Sequence, residues 1–421
     1  MKRTALTAVL LLCACLSASA QDAKNPQLEA YLEENIFRTG VNTNPYEFLP
    51  QAETPVPRGY KPFYISHYGR HGARSDWEGE IYAATVEMYN KAHDAGLLTE
   101  EGERARKEIS EIVALHNHMD GRLTPRGARE HRSIAKRMFN KYKKVFKGKG
   151  KTVRAVSSTS PRCLVSMAAF TSELLSLNPR INMGWDTGEE FMKYCSSVDP
   201  DDVRDEAYKL ILAHAAEHPA DTAQFLSRIF RDPSQCRAQV GAPAEMLDGT
   251  FAVAAIAGSF DYSDFLLRLF TPDDRYWYAQ NISMNLFLRQ CNSKEFGARR
   301  MAMPESEALA RDIVEKADEA IGKGGISADL RFGHDYQLLA ACSWMGVKGI
   351  AERLDATQCL DWPGYLYSPF AGNLQIVFYR NRQKDVLVKF FINERETSLI
   401  TLPGGPYYKW EDVKESFNAK Q

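Results

Sequence analysis

From Lys61 to His67 the chain carries a short run of β-favouring residues ending at Tyr68-Gly69, which predicts a strand that delivers the residues after it to a sheet edge. Apolar positions then recur at helical spacing from Ile81 to Ala95, with Gly96 closing the segment, and Thr124-Pro125 opens a second helix running to about Phe146. Thr152 to Ser158 reads as another strand and Arg162 to Leu177 as another helix. Strand, helix, helix, strand, helix is the rhythm of an α/β layered domain.

The texture changes between Trp185 and Arg300. Helical segments such as Asp205 to Glu217 and Thr222 to Phe230 dominate there, and alternating strand patterns disappear. Strand signals return at Ser327 to Phe332, Leu374 to Arg380 and Val386 to Asn393, which would complete an interrupted sheet. The expected organisation is an α/β core split into residues 21–184 and 301–421, with a helical cap, residues 185–300, inserted between the halves. No internal repeat is visible. The lysine-rich stretch from Lys136 to Lys151 reads as a solvated helix end and turn.

Residues 1–20 read as an export signal: Lys2 and Arg3, an apolar run from Ala5 to Leu16, then the small residues Ala18-Ser19-Ala20 before Gln21. The run is shorter than the roughly 20 residues that span a bilayer. Leu12-Cys13-Ala14-Cys15 also resembles a bacterial lipobox, so lipidation at Cys15 is the competing expectation. Either way the mature protein would be exported, periplasmic or secreted, with no membrane-spanning segment. Removing the signal leaves Cys163, Cys195, Cys236, Cys291, Cys342 and Cys359, an even set for which one or more disulfides is the expectation in an oxidising compartment, with several buried thiols as the open alternative. Their spacing fits no zinc site.

A formal net charge of -1 gives no global pull toward nucleic acid or an anionic membrane. Anion binding therefore has to come from a local cluster, and one candidate stands out. In Arg70-His71-Gly72-Ala73-Arg74, directly after the first strand, two arginines flank a histidine and a glycine. Guanidinium groups make bidentate, permanently charged contacts to phosphate oxygens, glycine lets the backbone approach, and a neutral imidazole can attack phosphorus. His116-Asn117-His118 lacks partner ligands at metal-site spacing and reads as a solvated loop. His214 and His218 share a helix face and read as exposed, and Asn281-Ile282-Ser283 is a chance match to a glycosylation acceptor.

The string resembles the Arg-His-Gly-x-Arg signature of the histidine phosphatase superfamily, in particular its histidine acid phosphatase branch. Further segments resemble the same branch in the same order: Leu123-Thr124-Pro125-Arg126-Gly127, then Ser157-Ser158-Thr159-Ser160-Pro161-Arg162-Cys163, then Gly333-His334-Asp335. Pro369 to Leu374 and Val386 to Phe390 resemble the C-terminal strands of its inositol polyphosphate phosphatases and phytases. Two departures stand out. Ser75-Asp76 follows Arg74 where phytase-like members carry proline two residues on, and His334-Asp335 stands where vertebrate-type members show His-Ala-Glu.

The resemblance implies a phosphoglycerate mutase-like three-layer α/β sandwich with an inserted helical cap, its pocket at the carboxyl edge of the sheet. It implies a phosphoric monoester hydrolase that needs no cofactor or metal. His71 would be the nucleophile, Arg70, Arg74, Arg162 and His334 would hold the phosphate, and Asp335 would protonate the departing alcohol and then activate water. His334-Asp335 precedes the apolar run Leu338 to Met345, so the pair is expected at a helix start, where the positive dipole end favours an anion. The expected substrate is a small phosphate ester, inositol polyphosphates such as phytate ahead of sugar phosphates or broad specificity. Against a highly anionic substrate, acidic residues outnumber basic ones by six between Trp185 and Arg300, a segment whose cations include Arg228, Arg231, Arg237, Arg299 and Arg300. Two rival readings weigh less: a phosphomutase, against which export to a compartment without phosphorylated glycolytic intermediates speaks, and a non-catalytic phospholigand-binding surface protein, against which the presence of both His71 and Asp335 speaks.

Overall fold

The computed structural model describes residues 24–76, 79–196 and 201–420. The expected export signal, with Cys13 and Cys15, lies outside the described residues.

One mixed sheet organises the molecule. Its strands are β1 (Lys61–Arg70), β2 (Lys151–Ser157), β3 (Ile181–Thr187), β4 (Ile326–Gly333), β5 (Asn373–Arg380), β6 (Val386–Ile392), β7 (Arg395–Thr397) and β8 (Tyr408–Lys409). They lie in the order β3-β2-β4-β1-β5-β6-β7, with β8 also paired to β6. The first four are mutually parallel, and β5 returns antiparallel to β1, with β6 antiparallel to β5.

Alternation along β1 explains the layers, because successive side chains point to opposite faces of a strand. Tyr64 and Tyr68 join one apolar cluster, with the helices Pro304–Lys323 and Asp335–Met345. Ile65 joins the other, under the helices Pro125–Lys141 and Pro161–Leu177. The result is a three-layer α/β sandwich whose central strands are buried on both faces, as a parallel sheet requires.

A third cluster forms a helical lobe. It contains the helices Thr222–Ile229 and Pro243–Ala257, and also Gly79–Asp94 and Glu100–His116, which the pattern had assigned to the sandwich. Conversely, Tyr276, Ala279 and Met284 of the helix Pro272–Gln290, inside the expected cap, pack in the first sheet-face cluster. Strand β3 runs through Thr187, across the expected boundary at 184. It escaped the pattern because it is an edge strand whose residues after Ile181 are largely exposed, so apolar alternation is missing.

Several local readings change. His116 is buried, not solvated: its Nε2 bonds the Asp76 carbonyl (2.6 Å) and its ring meets Tyr82 edge-on. His214 is buried too, hydrogen-bonded to Asn281 (2.8 Å), and His218 stacks on Trp277 at 3.8 Å. The expected disulfides are not formed among the described residues, where all six cysteines are buried free thiols packed among apolar or partly polar neighbours. No helix of the described residues is long and apolar enough to cross a membrane.

Candidate active site

Three neighbouring parallel strands end side by side. Arg70 closes β1 and pairs in register with Gly333, the last residue of β4, while Ser157 closes β2. The ladder continues just past them: His71 N donates to Gly333 O (2.9 Å) and Ser158 N to Phe332 O (2.9 Å). The other side is held by residues 369–373, where Arg70 N donates to Gly372 O (2.8 Å) and Ala371 N to His71 O (2.9 Å). Ala371 adopts φ 54°, a left-handed conformation unusual for a non-glycine residue. The strand-end resemblance in Pro369 to Leu374 therefore marks the segment that clamps the backbone of residues 70 and 71.

Glycine is required at position 72. A Cβ there would come within 2.5 Å of the Gly127 carbonyl oxygen and 2.7 Å of its Cα, so two backbones cross in contact. Thr124 fixes that crossing: its side chain caps the helix Pro125–Lys141 by accepting from Gly127 N, and its amide donates to Ala73 O (2.9 Å). One turn further, the buried Glu130 carboxylate accepts from Ala73 N (2.8 Å) and Tyr46 N (2.9 Å).

His71 is 2% exposed. Its Nδ1 lies 3.0 Å from the Gly72 carbonyl, which can only accept, so Nδ1 carries the hydrogen and Nε2 keeps a lone pair. Burial, then the charges of Arg70, Arg162 and Arg74, hold the imidazole well below its ordinary pKa and therefore neutral.

Arg70 is equally buried. Its Nη1 donates to the main-chain carbonyls of Asn42 and Ser368 (both 2.7 Å), its Nη2 sits 3.1 Å from Asp335 Oδ2, and the guanidinium lies 4.8 Å from the Phe370 ring centroid. Burial lowers its pKa to about 10 against the opposing pull of Asp335. Arg74 Nη1 donates to Ser75 O (2.8 Å) and Asp76 Oδ1 (2.9 Å).

Arg162 stands at the second position of the helix Pro161–Leu177 and donates from Nη2 to His334 Nδ1 at 3.1 Å. A guanidinium cannot accept, so His334 is a neutral imidazole whose Nε2–H faces Ser158 Oγ (3.2 Å) and Ser160 Oγ (3.4 Å). Its pKa is depressed by burial and by Arg162. His334 caps the helix Asp335–Met345, as the apolar run predicts, and its ring stacks on Tyr336 at 4.8 Å.

Asp335 is buried, with Oδ2 accepting from Arg70 and from Asn42 Nδ2 (3.2 Å) and Oδ1 from Tyr336 N (3.1 Å). Burial pushes its pKa up, but Arg70, Asn42 and His334 together hold it below the usual value, so the free site carries a carboxylate. The structure thus gathers all six sequence-derived residues at one strand-end cluster. It adds Asn42, Glu130, Ser158, Ser160 and Ser166, the last accepting from Gly72 N (3.1 Å). No string in the sequence marks Asn42, which lies 28 residues ahead of Arg70.

Three guanidinium groups around a neutral imidazole, beside a carboxylate, suit a phosphate dianion attacked in line by nitrogen. Among the described residues no group of three or more His, Cys, Asp or Glu could hold a metal ion. Four of the five named cap cations are engaged or buried: Arg228 pairs with Glu101 (3.0 Å), Arg231 with Leu98 O (2.9 Å) and Arg299 with Asp202 and Glu206, while Arg300 is fully buried; Arg237 is exposed.

Compared with solved structures, the chain superposes on the multiple inositol polyphosphate phosphatase of Bifidobacterium longum in complex with inositol hexasulfate, with a TM-score of 0.66 at 16% identity over 90% of this chain and 97% of that one. It has the phytase fold. The phytase from D. castellii matches with a TM-score of 0.67 at 15% identity, covering 95% of this chain and 88% of that one. Hafnia alvei phytase in complex with tartrate matches at 0.53 and 12% identity, over 86% and 98% of the two chains. No family model and no curated protein sequence matches the chain. In this phytase-like fold the six residues sit where three parallel strands end, the position at which open α/β sheets bind ligands.

Proposed function

We propose that the protein is an exported phosphomonoesterase that works through a phosphohistidine on His71. The observation that carries this reading is the neutral His71, its tautomer set by the Gly72 carbonyl, within a ring of Arg70, Arg74 and Arg162 and near Asp335. Asp335, a carboxylate in the free site, takes up one proton from solvent as the anionic ester binds; in the first step His71 Nε2 forms a bond to phosphorus as the ester P–O bond breaks, and that proton passes from Asp335 to the leaving oxygen. In the second, water oxygen bonds to phosphorus as the P–N bond breaks, and Asp335 takes the water proton. Inorganic phosphate leaves and His71 is neutral again. The arginines and His334 compensate charge on the three equatorial oxygens.

The test is His71→Ala. Turnover of aryl phosphate should fall to background, and the acid-labile phosphate trapped on the wild type should vanish. Retention of most activity would refute the mechanism.

For the substrate we favour inositol polyphosphates such as phytate, a reading supported by the likeness to phosphatases of that class. The engagement of Arg228, Arg231 and Arg299 favours broad acid phosphatase activity as the second reading. The ratio of kcat/KM for phytate to that for glucose 1-phosphate and an aryl phosphate at one acidic pH separates the two. Export rests on the N-terminal pattern, and fractionation of cells making the full chain tests it.

A further inference from the structure

Asn42 meets both members of the charged pair at the site. Its side-chain amide donates to Asp335 Oδ2 (3.2 Å), and its main-chain carbonyl accepts from Arg70 Nη1 (2.7 Å). The residue before it, Val41, adopts φ 47° and ψ -92°, a costly conformation for a β-branched side chain that persists only where surroundings enforce it. Here they do. Val41 is fully buried and packs directly on Gly364, Asn44 N returns to Val41 O (3.3 Å), and Phe370 N donates to Asn44 O (2.9 Å), tying the segment to the loop that clamps residues 70 and 71.

We propose that Asn42 is a positioning residue that aims Asp335 and sets the balance between its two protonation states. The inference rests on the phosphohistidine reading, in which Asp335 must give a proton in one step and take one in the next. As oriented, Asn42 turns its Nδ2 rather than its Oδ1 toward Oδ2, and that nitrogen only donates, so the contact favours the carboxylate that activates water over the acid that protonates the leaving group. The other charged or titratable groups around Asp335 are Arg70 and His71 at the end of β1, Arg74 just beyond, Arg162 and Cys163 on the facing helix, and His334 and Tyr336 on its own element. Among these neighbours the arginines favour the carboxylate through charge, whereas Asn42 is uncharged and acts through one hydrogen bond.

Asn42→Asp keeps the shape and removes the donor, and Asn42→Ala removes the side chain. Both leave the carbonyl contact to Arg70. Asp335 titration should be followed by carboxyl 13C NMR, assigned with Asp335→Asn, and by the alkaline limb of kcat. In Asn42→Ala both midpoints should rise by about one pH unit, as expected for losing one hydrogen bond to a charged group. In Asn42→Asp they should rise further, because a like charge now faces Asp335. Midpoints within 0.2 of wild type in folded variants would overturn the proposal, and so would failure of both variants to fold, which would make Asn42 purely structural. The NMR arm needs no turnover, so a wild type inert toward phosphate esters would sink the functional reading while the Asn42–Asp335 link was still measured.

Discussion

Acid should cost this fold heavily through two histidines that take no part in the proposed chemistry. His67 on β1 and His131 on the helix Pro125–Lys141 are each 1% exposed, packed around Phe170 and Phe332 between sheet and helices. Neither ring nitrogen of His67 is hydrogen-bonded. Burial drives both imidazoles down to about 3, with His131 and Arg331 adding to the effect at His67, and the Arg70 carbonyl only partly opposing it at His131. The unfolded chain binds these protons near pH 6.5, the native state does not. Stability therefore falls as pH drops through the window between 6.5 and the folded pKa. At up to about 1.4 kcal/mol per pH unit per group, a drop from pH 6.5 to 4.5 removes roughly 2 kcal/mol for each histidine, a large share of the ~5–15 kcal/mol of a typical domain. His131→Phe, which keeps an aromatic ring in an aromatic setting, removes one of the two. Urea unfolding at pH 7 and pH 4.5 is the assay. The variant should lose about 2–3 kcal/mol less than wild type on acidification, whatever its offset at pH 7 from the larger ring. Equal pH dependence in the two proteins would refute the argument, because it would mean that His131 is already charged in the native state or stays uncharged in the unfolded one.

Two further outcomes follow from the site. Gly72→Ala forces a methyl group into the Gly127 backbone and should cost at least about 2 kcal/mol in chemical unfolding together with most of the turnover; wild-type stability would show that the crossing is looser than the contacts imply. Asp335→Asn should slow esters of poor leaving groups by roughly a hundredfold or more while sparing nitrophenyl phosphate, which needs little protonation to depart, and equal losses on both would remove Asp335 from the acid role.

How much of this was legible depends on where each signal lies in the chain. The strands β1, β4, β5 and β6 were readable because burial on both faces produces compact β-favouring runs, β2 because its buried positions alternate with the period of a strand, and the helix after His334 because its apolar run begins one turn beyond the pair. Phosphate chemistry was readable because Arg70, His71, Gly72 and Arg74 must be close in sequence to act from a single strand end. The destination of a helix is a different matter. The pattern of Gly79–Asp94 specifies an apolar face, yet whether that face meets the sheet or the Thr222–Ile229 and Pro243–Ala257 helices is decided by partners more than 100 residues away. Asn42 illustrates the same limit inside the site. An asparagine beside a valine carries no helical or strand periodicity, and its reach to Asp335 spans 293 residues. What selects it is the strained turn at Val41, and that strain exists only once Gly364 and the clamp at Phe370 are packed against it. The residues that would carry the reaction are thus written locally, while the one we assign to tune its acid is written only in the assembled fold.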